Sequence, residues 1–387
     1  MAARATGAPY DVVVVGLGGA GSSAVYHLAR SGARVLGLEQ FGPTHAHGSS
    51  HGRTRIYRTA YFEGAAYVPL VQRAQDLWRS LEVSSGLPII RPTGGLMIGR
   101  PEIPTVLGAR RTAETCHLAH EVLSADAVAG RFAQFRLRAE EVAIWDPAAG
   151  VLFPENCLAA HAAGAVEAGA ELHYGETVKR WTATADSVVV ETSSGEYRAR
   201  AIVVTSGPWT PSVVADLALP LTIERQFVLW FPSDDPALTA PGRMPVFLWD
   251  RGPDEHTYGI PDFGDGVKIG SWFGKEAASP EAADREFHLS DAEPIRRFVA
   301  RSLTGVRARE SAHTSCLYTN APDGHFVIGH HPRHTQVIVV SACSGHGFKF
   351  TSVLGEVIAH LVRSEPTGFD LSAFEPGRFS TSATVPR

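Results

Sequence analysis

The chain has 387 residues, 44% of them hydrophobic and 19% charged, with a formal net charge of −5 at pH 7. That length exceeds what one hydrophobic core comfortably grows to, so two domains sharing a long interface are expected. The acidic balance, with no Lys/Arg run, excludes tracking along a nucleic-acid backbone; no apolar run reaches the roughly 18 to 20 residues of a bilayer span, and MAARATGAPY lacks the apolar stretch of a secretion signal, which makes a cytoplasmic protein the expectation.

Tyr10 to Val15 (YDVVVV) reads as a strand buried on both faces of a parallel sheet. It runs into Gly-Leu-Gly-Gly-Ala-Gly, a helix-like stretch from Ala20 to Arg30, a break at Ser31-Gly32 and a second strand from Ala33 to Glu39. Together these make a βαβ unit of about 30 residues. Gly16, Gly18 and Gly21 form G-x-G-x-x-G between strand and helix. The first allows the tight turn, the second lets backbone approach a pyrophosphate, and the third lets the helix pack on the strand. Glu39 ends the second strand, where a carboxylate accepts hydrogen bonds from an adenosine ribose. Glycine loops also close ordinary α/β turns, but strand, helix and acid together favour a dinucleotide; they do not separate FAD from NAD.

Phe41 to His51 is rich in Gly, Pro, Ser and His and reads as a loop, followed by a helix around Tyr67 to Leu81 with Val68, Val71, Leu77 and Leu81 on one side. Further strands are expected at Ser187 to Glu191, Ala201 to Thr205 and Gln336 to Ser341. The last leads through a glycine-rich loop into a helix carrying Phe350, Leu354, Val357, Ile358 and Leu361. The nucleotide domain is therefore discontinuous, spanning 1–85, 146–215 and 316–387. Segments 86–145 and 216–315 are richer in Trp, Phe and Pro and suit an antiparallel substrate domain. The fold class is α/β, a Rossmann-type nucleotide domain with a second, antiparallel-sheet α+β domain.

The four cysteines (Cys116, Cys157, Cys316, Cys343) have no C-x-x-C spacing, so neither a metal site nor a disulfide framework is expected. Only four of the 35 basic residues are lysines: Lys179, Lys268, Lys275 and Lys349. In a chain that uses arginine by default, a lysine marks a place where a compact ammonium of shiftable pKa suits better than a planar fork.

Gly48-Ser49-Ser50-His51-Gly52-Arg53-Thr54-Arg55-Ile56-Tyr57-Arg58, with the downstream Ala-Tyr-x-Glu-Gly at 60–64 and Tyr-Val-Pro-Leu at 67–70, resembles a segment of the monomeric sarcosine oxidase and N-methyltryptophan oxidase family, FAD-dependent amine oxidases. Three more segments carry the resemblance in order: Cys316-Leu317-Tyr318-Thr319-Asn320-Ala321-Pro322-Asp323, Ser344-Gly345-His346-Gly347-Phe348-Lys349-Phe350, and the pair Tyr258 to Pro261 with Gly266 to Gly270. The resemblance implies FAD joined by a thioether from Cys316 to its 8α-methyl group. It implies cofactor contacts from Ser49, His51, Arg55, Val178, Gly345, Gly347 and Lys349. It further implies Arg58 and Lys349 on a substrate carboxylate, Lys268 as the oxygen-reactive lysine, Tyr258 and Tyr318 lining the substrate cavity, and a monomer.

On that reading a secondary amino acid gives hydride to FAD, leaving an imine, and O2 is reduced to hydrogen peroxide. Where the sarcosine- and methyltryptophan-oxidising members carry a histidine after the lysine, this chain has Ser271-Trp272-Phe273-Gly274, one residue shorter. Trp272 either lines the cavity, favouring a larger or cyclic amino acid over sarcosine, or points into the core. Two rivals from other classes are an NAD-dependent dehydrogenase, which leaves Cys316 and the Gly345–Lys349 loop without a role, and a flavin-binding protein without turnover.

Overall fold

The computed structural model describes residues 9–252, 255–272 and 274–379. Phe273 and the two ends of the expected nucleotide domain lie outside the described residues.

The strand expected over YDVVVV forms at Tyr10–Val15 and sits in the middle of an eight-stranded sheet. It pairs in parallel with Val35–Glu39 on one side and with Glu196–Val204 on the other. Side chains alternate across a strand. Val12 and Val14 therefore enter the core under the helices, while Val13 and Val15 enter the core on the opposite face with Val188, Val190 and Val339. This is why the run is continuous rather than alternating. The helices Gly19–Arg30, Tyr67–Ser85, Pro154–Glu167 and Thr351–Val362 cover the first face.

A second, nine-stranded sheet, mainly antiparallel, contains Thr222–Phe231, His256–Ile260 and Val267–Ser271. The helix Leu289–Ser302 packs Ala292, Ile295, Phe298 and Val299 against it. The strand Ala312–Asn320, which carries Cys316, pairs residue for residue with Thr222–Trp230 in this sheet. The boundary expected at 315/316 thus falls inside a strand. The reason is local: β pairing over nine residues buries the Leu317 side chain and hydrogen-bonds one edge of the strand, which a domain junction at that point would break.

Candidate active site and cofactor cradle

A cavity of about 610 Å3 runs between the two sheets. Such a volume lies within the range of clefts that enclose small molecules and cofactors. Every site residue expected from the sequence lines it except Gly21, whose role is in packing.

At its nucleotide end, Gly16 has φ +89° and its missing side chain faces the backbone of Thr205 and Ser206 at 2.8 Å. A Cβ on Gly18 would meet only Ser50 Oγ, at 3.3 Å, so this backbone stays open to a ligand. A Cβ on Gly21 would sit 1.8 Å from the Gly16 carbonyl oxygen, where only backbone could give way. Gly21→Ala is therefore expected to lower the melting temperature sharply and to abolish cofactor retention, at a cost of about 3 kcal/mol or more. Gly18→Ala should keep the melting temperature of the apoprotein and weaken FAD binding alone. Thermal melts with and without FAD separate the two; equal behaviour of both variants would remove the division of labour.

The Glu39 carboxylate accepts from Leu17 N (2.9 Å) and Phe41 N (3.1 Å), with His45 Nε2 3.4 Å away. Burial opposes its ionisation, but the His45 side chain and these N–H donors outweigh burial and hold it below the usual carboxylate range. An anionic acceptor for ribose hydroxyls results. Val178 lines the same cavity together with Tyr174 and Glu176.

Further along, strand alternation decides which side chains face the cavity. Val267 and Ile269 enter the core of the second sheet, and Lys268 between them points the other way. Its Nζ donates to the carbonyls of Gly52 (2.7 Å) and Thr54 (2.8 Å) and is 2% exposed. Pairing with Asp262 or Asp265 at the surface is ruled out: Asp265 pairs with Arg53, and Asp262 accepts from Gly264 N and Gly266 N. Burial, reinforced by Arg55, pushes the Lys268 ammonium well below its ordinary pKa. Arg55 spans the Thr54 carbonyl (2.8 Å) and the Ser49 carbonyl (2.7 Å), and Ser49 Oγ donates to the Leu317 carbonyl.

Cys316 lies in this wall, 4% exposed. Burial pushes its thiol up, while Arg55 and Lys268 pull the other way. Next to it, His51 is driven down to about 3 by burial and by Arg55 and Lys268, so it stays neutral. Its Nε2 is buried with no hydrogen-bond partner among the described residues. A polar atom orphaned in a cavity wall is where a bound group supplies the missing partner. Tyr258 and Tyr318 both lie in this wall, and Tyr258 lies across Gly270, where a Cβ would meet its hydroxyl at 2.5 Å.

Lys349 falls in a short 3-10 turn, Phe348–Phe350, just before the helix Thr351–Val362 rather than inside it. It is buried, with Nζ donating to the His346 carbonyl (2.6 Å) and to the Tyr61 hydroxyl (3.4 Å). Burial and then Arg58 lower its pKa well below the ordinary value. His346 Nε2 lies 3.0 Å from the Gly324 carbonyl, which requires an N–H there, so Nδ1 accepts from the Tyr61 hydroxyl at 2.5 Å. Arg58, 2% exposed, puts Nη2 on both oxygens of Glu63 (2.5 and 2.7 Å). Burial favours the neutral acid, but Arg58 outweighs it and keeps Glu63 below the usual range. Neither Tyr61, Glu63 nor His346 is singled out by composition or spacing. All three lie inside the quoted segments, and that is the one signal that reaches them.

Trp272 lines the cavity rather than the core, stacked on Phe62 (5.3 Å, 28°) and tilted on His256 (5.5 Å, 31°). Among the described residues no His/Cys/Asp/Glu group suits a metal, and no helix is long and apolar enough to cross a membrane.

The profile of the FAD dependent oxidoreductase family matches residues 11–361. A monomeric sarcosine oxidase of Streptomyces avermitilis is 40% identical over 380 residues, 96% of this chain and 98% of that protein. An N-methyl-L-tryptophan oxidase of Citrobacter koseri is 32% identical over 373 residues, 96% of this chain and 99% of that protein. Among solved structures, the open form of NikD, described as an unusual amino acid oxidase essential for nikkomycin biosynthesis, superposes with a TM-score of 0.86 at 25% identity, covering 98% of this chain and 100% of that one. FAD thereby takes the place that G-x-G-x-x-G left open to FAD or NAD, and the glycine cradle, Glu39 and the orphaned His51 nitrogen fit it. The chain belongs to the FAD-dependent oxidoreductase family, in the group of the monomeric sarcosine oxidases and N-methyltryptophan oxidases.

Proposed function

We propose that this protein oxidises a secondary α-amino acid, N-methylated or cyclic, to its imine, with O2 reduced to hydrogen peroxide and FAD held covalently through Cys316. The observation that carries this is the fate of the lysines. Lys179 and Lys275 lie at the surface, whereas Lys268 and Lys349, at the two positions the resemblance makes functional, are buried in the wall of one cavity. Burying a lysine without a carboxylate partner is costly, and a cavity that binds an anion and reduces O2 gives both a reason.

FAD supplies the acceptor for the hydride. The protein's own residues bind and orient. Lys349 and Arg58 attract the substrate carboxylate, which competes with Glu63 for the Arg58 guanidinium. The two cations, together with exclusion of water, lower the pKa of the substrate ammonium, so that the neutral amine is reached near pH 7 without a dedicated base. Tyr258 and Tyr318 line the cavity. Peroxide release by the purified yellow protein over a panel of N-alkyl and cyclic amino acids tests the reading; no peroxide with any member would leave a flavin-binding protein without turnover.

Trp272 favours the larger members of that panel, a second reading in which the substrate is a cyclic amino acid of secondary metabolism. The likeness to NikD, an amino acid oxidase of a biosynthetic route, supports the place in secondary metabolism. Trp272→His is expected to shift relative kcat/KM from bulky cyclic toward small N-methyl substrates by about tenfold, the scale of a remodelled apolar pocket. A constant ratio with lowered stability would make Trp272 a packing residue only.

A further inference from the structure

Two positions that the family segments leave unexplained meet face to face. Phe62 is the unspecified residue of Ala-Tyr-x-Glu-Gly, and Trp272 stands where the chain departs from its relatives; although 210 residues apart, their rings stack at 5.3 Å and 28°. Phe62 also carries the Arg58 guanidinium 4.3 Å from its ring centre. The Trp272 indole also meets the His256 ring, tilted at 5.5 Å and 31°. His256 Nε2 is held in turn by Asp250 Oδ1 at 3.0 Å, and Asp250 Oδ2 accepts from Thr105 Oγ1 at 2.7 Å.

The result is a column: Asp250, His256, Trp272, Phe62, Arg58, with Glu63 paired to its end. It joins the second sheet to the loop that bears the carboxylate-binding arginine. An indole in contact with two rings is restrained in its position, and so is the wall it presents to the cavity. A guanidinium over an aromatic face keeps its plane fixed while its edge remains free for a carboxylate. Phe62 touches both Trp272 and Arg58, although it does not itself line the cavity.

We propose that Phe62 is a specificity-determining and positioning residue, which acts through Trp272 to limit the size of the substrate side chain and through Arg58 to orient its carboxylate. The inference rests on the reading of Arg58 as the carboxylate site. It makes Phe62 and Trp272 one energetic unit rather than two independent walls.

The test uses the FAD-loaded protein with Phe62→Ala, Phe62→Leu, Trp272→Ala and the double variant Phe62→Ala/Trp272→Ala, each checked by thermal unfolding. Calorimetric dissociation constants for propionate and benzoate, a small and a flat carboxylate, are the binding readout. Relative kcat/KM over small and cyclic amino acids is the second. Phe62→Ala should weaken propionate and change the benzoate-to-propionate ratio by about fivefold, the scale of one coupled aromatic contact. Phe62→Leu, which keeps the volume and loses the flat face, should fall between. The double variant should resemble either single variant rather than their product. A ratio unchanged within about twofold in both Phe62 variants while Trp272→Ala shifts it, or strict additivity in the double variant, overturns the proposal. Wild-type protein that binds neither carboxylate would overturn the reading of Arg58 and the proposal with it, a result distinct from binding with an unchanged ratio.

Discussion

Lys268→Met is expected to leave reduction of the protein by substrate under anaerobic conditions largely intact and to slow reoxidation by air about a thousandfold. When O2 takes its first electron in the cavity it becomes an anion, and the barrier falls if a cation already waits there. One unit charge about 4 Å away, at an effective dielectric near 20, is worth roughly 4 kcal/mol, close to three decades in rate. Lys268 suits that task because its ammonium is fixed by the Gly52 and Thr54 carbonyls, with no carboxylate among its hydrogen-bond partners to cancel its charge. The pH dependence has a definite sign. Burial and Arg55 lower the Lys268 pKa, so the cation is present below that lowered value and is lost as pH rises through it. Reoxidation should therefore slow toward alkaline pH in the wild type, and this limb should vanish in Lys268→Met. Stopped-flow measurement of the two half-reactions decides: a loss confined to the reductive half would remove Lys268 from the oxygen site.

Cys316→Ala is expected to convert permanently held FAD into dissociable FAD. Acid-precipitated wild-type protein should stay yellow and fluoresce on a denaturing gel, and the variant should precipitate colourless. The thiol lies in the cavity wall, and although burial pushes its pKa up, Arg55 and Lys268 pull partly against that rise. Cys343 also lines the cavity and serves as the control. Colour retained in Cys316→Ala and lost in Cys343→Ala would reassign the link, and a colourless wild-type precipitate would dismiss it. Because Gly16, Gly18 and Glu39 remain, Cys316→Ala should still bind added FAD reversibly.

Much of the nucleotide site was legible along the chain because its chemistry is local. A strand, a glycine turn, a helix and an acid follow one another within 30 residues, and each glycine meets a constraint of its own, from the positive φ of Gly16 to the 1.8 Å approach at Gly21. The ends of the helix Tyr67–Ser85 and the strand Glu196–Val204 extend beyond what periodicity indicated. The strand's first rungs are added by pairing with Val188–Thr192, and the helix runs on through an exposed last turn to the left-handed Gly86.

The substrate side was legible only as resemblance, since its parts come from segments around 58, 258, 268, 316 and 349 that no periodicity relates. That Lys268 faces a cavity and not an aspartate depends on the register of Val267–Ser271 against two neighbours, because a one-residue slip would bury it in the opposite core. That Arg58 rests on Phe62 and is already paired with Glu63, and that Trp272 meets both Phe62 and His256, depends on the way two sheets close over one cavity. Sequence alone determined the cofactor-binding βαβ unit and the family, and it marked the side chains proposed for the chemistry, since these rest on local backbone demands and on residue type. Tertiary structure alone decided which of those side chains touch, because distance between residues remote along the chain is set by sheet register and packing, which are properties of the whole fold.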